Sequence, residues 1–254
     1  MAPSERRVRL RGLISWCCLL LPGLLRAQGG PPLVTDDPGT VDAGHWEVNV
    51  AWTREHRPEL DVDEIPLLDV NYGCSENLQL KFEGSWLRLS GDGGADRSGL
   101  SDALIGVKWR FLDEDKSGVE VSTYPQLGFS LSHSSERRGI ASGSTVWILP
   151  VQLQKNLGPA EANADFGYVA DSRQEDIWFG GVAFGHEFAA HWELLAELHG
   201  ETPVGVRGSS LLANLGTRVP LARHATLLFS IGREIHNQTG ARATVSYLGV
   251  QLTH

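Results

Sequence analysis

Charged and amide side chains recur at every second position through much of this chain, and that spacing limits what chemistry they can do. Glu47 and Asn49, Lys81 and Glu83, and Lys108 and Arg110 stand two residues apart, while Glu193 and Glu197 stand four apart. In an extended strand, residues i, i+2 and i+4 share a face, so each set projects to one side. Glu120, Gln126, Arg218 and Glu234 fall on the polar parity of other segments. Gathered on one enclosed surface, these side chains form a ladder of ion pairs or a lining that sorts solutes by charge. Enclosed charges are costly unless paired, so a structural ladder comes first and a selective lining can coexist with it.

A second cluster is Asp36 and Asp37, between Thr35 and Pro38. Two carboxylates offer hard oxygen ligands to a cation, but the further spaced carboxylates of a calcium loop are missing. An Asx turn leading into Pro38 accounts for the pair more simply. A functional version would fold this segment into an enclosed lumen as a plug or latch. For nucleophilic catalysis there are histidines at 133, 186, 191, 199 and 224 and serines at 130, 134 and 209. No G-x-S-x-G elbow accompanies them. The stretch "SLSHSSERRG" reads as an extracellular loop, and no histidine pair has strong ligand spacing. The expectation is a protein that is no enzyme and needs no cofactor or metal.

The elements that position these residues are strands. Trp46, Val48 and Val50 alternate with Glu47, Asn49 and Ala51, and Leu78, Leu80 and Phe82 alternate with Gln79, Lys81 and Glu83. About twelve such period-two segments follow one another, separated by Gly, Asp, Asn and Ser clusters. Helical periodicity is nearly absent. Two architectures fit: a secreted β-sandwich binding module, with the apolar face as its core, or a barrel with that face on lipid and the polar face on a lumen. The apolar parity carries Trp46, Trp52, Tyr72, Trp86, Trp109, Trp178 and Trp192 near strand ends, which suits interfacial girdles. The polar parity mixes charges with many glycines, which suits a crowded interior. The expected fold is all-β, an antiparallel transmembrane β-barrel of about 12 strands with both termini on the periplasmic side.

The start of the chain stands apart. Arg6, Arg7, Arg9 and Arg11 precede an apolar run from Leu13 to Leu25, then Ala27 and "QGGPP". That order is a secretory signal peptide, and the run is shorter than the roughly 20 residues of a spanning helix. The expected organisation is a cleaved signal at 1–27, a periplasmic lead-in at 28–43 containing Asp36 and Asp37, and the barrel at 44–254. Cleavage removes five of 22 basic residues and one of 31 acidic ones, leaving a net charge near −13. So acidic a chain argues against a nucleic-acid partner. Cys17 and Cys18 leave with the signal; Cys74 remains alone, without a disulfide partner, and is expected to be buried and inert.

Five stretches carry a family resemblance: "PLVTDDPGTVDAGHWEVNVAW", "IPLLDVNYGCSENLQLKFEGSW", "GLSDALIGVKWRFLDED", "VSTYPQL" and "YLGVQLTH". They resemble the MetA-pathway phenol-degradation family, a group of bacterial outer-membrane transporters, over nearly the whole mature chain, with residues 157–210 matching only loosely. The resemblance implies a barrel in the outer membrane, in contact with its lipid, that takes up small solutes, aromatic or other hydrophobic compounds among them. It also implies insertion by the barrel-assembly machinery. One departure is the last residue, His254, where such strands usually end on an aromatic side chain. A surface barrel with a structural role and no transport is the remaining alternative.

Overall fold

A computed structural model of the chain describes residues 30–91, 95–158, 160–188, 192–205 and 207–254. The expected signal peptide with Cys17 and Cys18, the first two lead-in residues and His191 lie outside the described residues. The strands begin with β1 (Trp46–Arg57), β2 (Leu60–Ser75), β3 (Leu78–Ser90), β4 (Arg97–Leu100) and β5 (Asp102–Leu112). A single turn of helix, α1 (Glu114–Ser117), leads to β6 (Glu120–Thr123) and β7 (Gln126–Ser130). After α2 (His133–Arg137) come β8 (Val146–Asn156), β9 (Ala160–Asp171), β10 (Ile177–Glu187) and β11 (Glu193–Pro203). The chain ends with β12 (Ser210–Ala222), β13 (Ala225–Asn237) and β14 (Thr244–Thr253).

All pairings are antiparallel, and β14 returns to β1 in register from Glu47 against Thr253 to His56 against Thr244. The seam is finished by Trp46 N donating to His254 O at 2.8 Å and His254 N to Trp46 O at 2.9 Å. Both β4 and β5 pair with β3, and both β6 and β7 pair with β5 and β8. Each couple is one strand interrupted, at Ser101 and at Tyr124–Pro125, where proline has no N–H for the ladder. Fourteen segments therefore form twelve strands in a closed ring. Closure matters because lipid offers no partner to an unpaired backbone group.

The distribution of side chains is inverted relative to a soluble protein. Leu215 is 65% exposed and Trp147 50%, while Asn49 and Gln152 are each 1% exposed. A β-sandwich would bury its apolar parity between two sheets, so outward leucines and tryptophans rule that alternative out. So large an apolar exterior belongs in a membrane. Aromatic pairs mark its boundaries. At the end where β1 begins and β14 finishes, Trp46 lies 4.6 Å from Tyr72, Trp109 5.4 Å from Phe111 and Phe188 5.6 Å from Trp192. Toward the distal end, Trp178 stands 5.3 Å from Phe166 and 4.6 Å from Tyr168. Trp52 departs from the expected girdle: it is half-buried, and its indole N–H donates to Asp63 Oδ1 at 2.9 Å.

Cys74 corrects its expectation. It is exposed, because it continues the outward parity of Leu68, Val70 and Tyr72, and in this barrel that parity faces away from the interior. The distal ends of β1, β2 and β3 also extend beyond the apolar band, where Arg54 pairs with Asp61 at 2.6 Å and Arg88 with Asp96 at 2.5 Å.

Val182 lies midway along β10 with its side chain outward. Replacing it with arginine should cost about 2–4 kcal/mol, the usual penalty for a cation at the lipid midplane. The check is the urea concentration at which the compact band of the unboiled barrel disappears from a detergent gel. An unchanged midpoint would mean that this wall does not face lipid.

Candidate functional site

The inner wall is polar and nearly full. In its middle, Lys81 Nζ sits 2.7 Å from Glu83 Oε2 and 3.4 Å from Asp69 Oδ1. Asp69 accepts from Asn49 Nδ2 at 3.2 Å and Asn71 Nδ2 at 3.1 Å, and Gln79 donates to Asn71 at 2.8 Å. The Tyr124 ring lies between two ammonium groups, 4.8 Å from Lys108 Nζ and 5.9 Å from Lys81 Nζ. Near the terminal rim, Arg110 pairs with Glu120 at 3.2 Å and Arg218 with Glu193 at 3.1 Å. At the distal rim Arg57 makes two bonds to Glu234, at 3.0 and 3.1 Å. Glu47 is half-buried and accepts from Asn49, while Gln126 is buried.

Within this wall lies the segment placed at 28–43 by sequence reasoning as a lead-in outside the barrel. Its residues from Gly30 to Val41 run inside the lumen, the plug that was the functional version of the Asp36–Asp37 reading, drawn in by the set of partners the wall offers. Glu197 accepts the backbone N–H groups of Val34, at 3.2 Å, and of Thr35. Lys108 Nζ reaches Asp36 Oδ2 at 3.1 Å and Asp37 O at 2.7 Å, and Gln152 donates to Asp36 Oδ2 at 2.7 Å. Arg218 donates to Pro31 O at 3.2 Å, Ser230 to Pro32 O at 2.7 Å, and Val41 N to Gln79 Oε1 at 2.9 Å. Asp37 does form the Asx turn, accepting from Gly39 N at 2.8 Å. One apolar contact joins the polar ones: Leu33 packs on Ala183 and Leu195.

Two glycines give the segment room. A Cβ at Gly181 would overlap Thr35 Oγ1 and come within 2.8 Å of His199 Nδ1. A Cβ at Gly73 would overlap the carbonyl oxygens of Val41 and Asp42, over which the segment leaves the lumen. The result is a plug touching β3, β5 and β8 on one side and β11, β12 and β13 on the other. Its faces differ. Pro31 to Val34 form the floor of a distal cavity of about 100 Å³, and Asp36, Asp37 and Gly39 line a terminal-side cavity of about 230 Å³. At the distal mouth, the loop following β7 turns inward and packs Ile140 on Leu87 and Leu89.

The wall thus brings together most of the side chains that the alternation singled out. Sequence reasoning missed Gln152, Asp165, Asn214 and Ser230, which hold the plug or its anchors; the signal available for each was inward parity within its strand. The residues considered for catalysis stay apart. Ser130 Oγ donates to Asp102 and accepts from Gly143 N, while His133 is exposed beside Glu136. His186 packs on Phe188, and His199 lies flat against Phe179 at 6.0 Å. Among the described residues, no three His, Cys, Asp or Glu side chains gather as a metal site.

Comparisons follow the architecture. No family model matches the chain, and no curated protein does. The COG4313 outer membrane channel from Pseudomonas putida F1 aligns with a TM-score of 0.74 at 12% identity, covering 86% of this chain and 98% of that one. The NanC porin aligns with a TM-score of 0.59 at 10% identity, covering 81% and 98%. The translocator domain of the autotransporter NalP from Neisseria meningitidis gives 0.57 at 11%, covering 83% and 89%. At such identities the likeness is one of fold, and this chain shares the β-barrel architecture of these outer-membrane proteins.

Proposed function

We propose that this chain is an outer-membrane channel for small solutes, closed at rest by its own segment 30–41. The observation that carries the reading is the chemistry of the plug's seat. Apart from Leu33, the segment is held by carboxylates, amides, hydroxyls and two cations, all groups that water can replace. Each such hydrogen bond adds only about 1 kcal/mol net, so withdrawal exchanges many modest contacts for hydration. A plug that served only as a core would be expected to be apolar. The channel and porin among the structural neighbours support the same reading, as does the resemblance to the MetA-pathway phenol-degradation family. That resemblance adds aromatic and other hydrophobic compounds to the solutes considered. An even strand number and a long inward-turning loop at the distal end fit termini on the periplasmic side.

The test is conductance in planar lipid bilayers, comparing the full chain with a variant lacking residues 30–41. The full chain should show brief, infrequent openings, and the deletion a steady current of at least several times the mean conductance. A deletion variant that forms a heat-modifiable barrel yet stays silent would favour a surface barrel without transport.

A further inference from the structure

We infer that the distal cavity above the plug is a recognition site for a small organic ammonium ion with a compact apolar body. The inference deepens the channel reading and rests on it for its purpose, since the cavity is the first enclosed space a solute entering from the distal mouth would reach. Its body is apolar: Pro31, Pro32 and Leu33 make the floor, and Val62, Leu87 and Leu104 the near wall. Its polar lining sets four carboxylates beside the hydroxyls of Thr53, Ser101, Ser230 and Ser246. Glu55, Glu64, Glu83 and Asp102 line it, against one cationic residue, Arg54. The Arg54 guanidinium is turned to Asp61 at 2.6 Å and Asp63 at 3.6 Å. Glu55 and Glu83 have Arg57 and Lys81 beside them. Asp102 instead takes its hydrogen bonds from the Ser130 hydroxyl and from Ser142 N at 2.8 Å, which orient the carboxylate and leave its charge in place.

A second observation points the same way. Asn214 and Tyr247 also line this cavity and are only 3% and 6% exposed. Asn214 Oδ1 and Tyr247 Oη have no hydrogen-bond partner among the described residues. Buried oxygens without donors are costly, and each is stabilised by a guest that brings an N–H. An ammonium group carries three donors and meets opposite charge, whereas a carboxylate guest would meet the like charge of four carboxylates. Enclosure by low-dielectric walls strengthens the preference, because a cleft lined by one sign concentrates the opposite ion about tenfold or more.

The experiment uses the full mature chain in detergent and ligand-observed NMR with three probes of one shape: butylammonium, butyrate and butanol. Butylammonium should bind saturably and weaken as salt rises. Butyrate should not bind, and butanol should bind at least about tenfold more weakly, in keeping with the charge preference of such a cleft. The double variant Asp102→Asn, Glu64→Gln keeps the shapes of both side chains and should lose butylammonium to the level of butanol. Equal binding of all three probes, or an unaltered affinity in the double variant, would overturn the inference. The channel reading fails separately: amine binding by a barrel that never conducts would leave this site standing, and conductance without amine binding would leave only the channel.

Discussion

Lys108→Met should release the plug and turn a mostly closed barrel into a mostly open one. Lys108 is buried, its ammonium 3.1 Å from the Asp36 carboxylate and 2.7 Å from the Asp37 carbonyl. Methionine keeps the unbranched shape and most of the length of the side chain and removes its charge. Asp36 would then sit enclosed with neutral donors alone, Gln152 Nε2 at 2.7 Å and Asp37 N at 2.9 Å. Removing one partner of a buried ion pair costs about 3–5 kcal/mol, because the other charge stays behind undissolved. Withdrawal of the plug avoids that cost by returning Asp36 to water, so the penalty falls on the seated state. Even about 3 kcal/mol shifts the balance between seated and withdrawn on the order of 100-fold. Single-channel recordings should show the open probability rising accordingly, with the unit conductance little changed. The decisive control is Lys108→Met, Asp36→Asn, which removes both charges together and should restore closure. If the double variant stayed open, the loss of positive charge from the wall, and not an orphaned Asp36, would be the cause.

The same pair shows where sequence stops being informative. Lys108 was legible as an inward residue because "ALIGVKWRF" alternates cleanly, and Asp36 was legible as part of a turn before a proline. Nothing in either stretch says that the two touch, since they are 72 positions apart and the plug segment has no periodicity to assign it a face. The strands were legible for the opposite reason. A barrel wall between lipid and a polar interior imposes a period of two on every crossing, and Trp109 against Lys108 or Phe82 against Lys81 records it residue by residue. Where that contrast ends, so does the signal. Beyond the apolar band the first hairpin carries Arg54, Asp61 and Asp63 outward, and alternation no longer marks the strands running on to Arg57 and back from Leu60. Cys74 misled for a related reason, since apolar means core only in a protein whose core is apolar.

Gly181→Val should open the barrel by a different route, through the loss of space instead of charge. Gly181 lies on β10 with extended backbone, so valine fits the strand itself and the hydrogen-bonded ladder to β9 and β11. What it does not fit is the plug. The new Cβ would overlap Thr35 Oγ1 and lie 2.8 Å from His199 Nδ1 and 3.0 Å from Asp165 Oδ1. Overpacking of this kind costs about 1–3 kcal/mol when the surroundings must absorb it. Here the least rigid neighbour is the plug, whose hold on the wall is mainly polar and whose departure relieves the overlap. Steady conductance should therefore appear, while the unboiled barrel keeps its compact migration. Gly200→Val on the adjacent strand is the matched control: that position points outward, its nearest atom beyond the chain neighbours is 3.4 Å away, and conductance should remain at the level of the parent chain. Adding Thr35→Ala to Gly181→Val removes the overlapping oxygen and should recover part of the closure. Conductance that stays low in Gly181→Val with the barrel intact would mean that the plug can shift within the lumen without leaving it, and gating would then have to arise at the distal loop that carries Ile140.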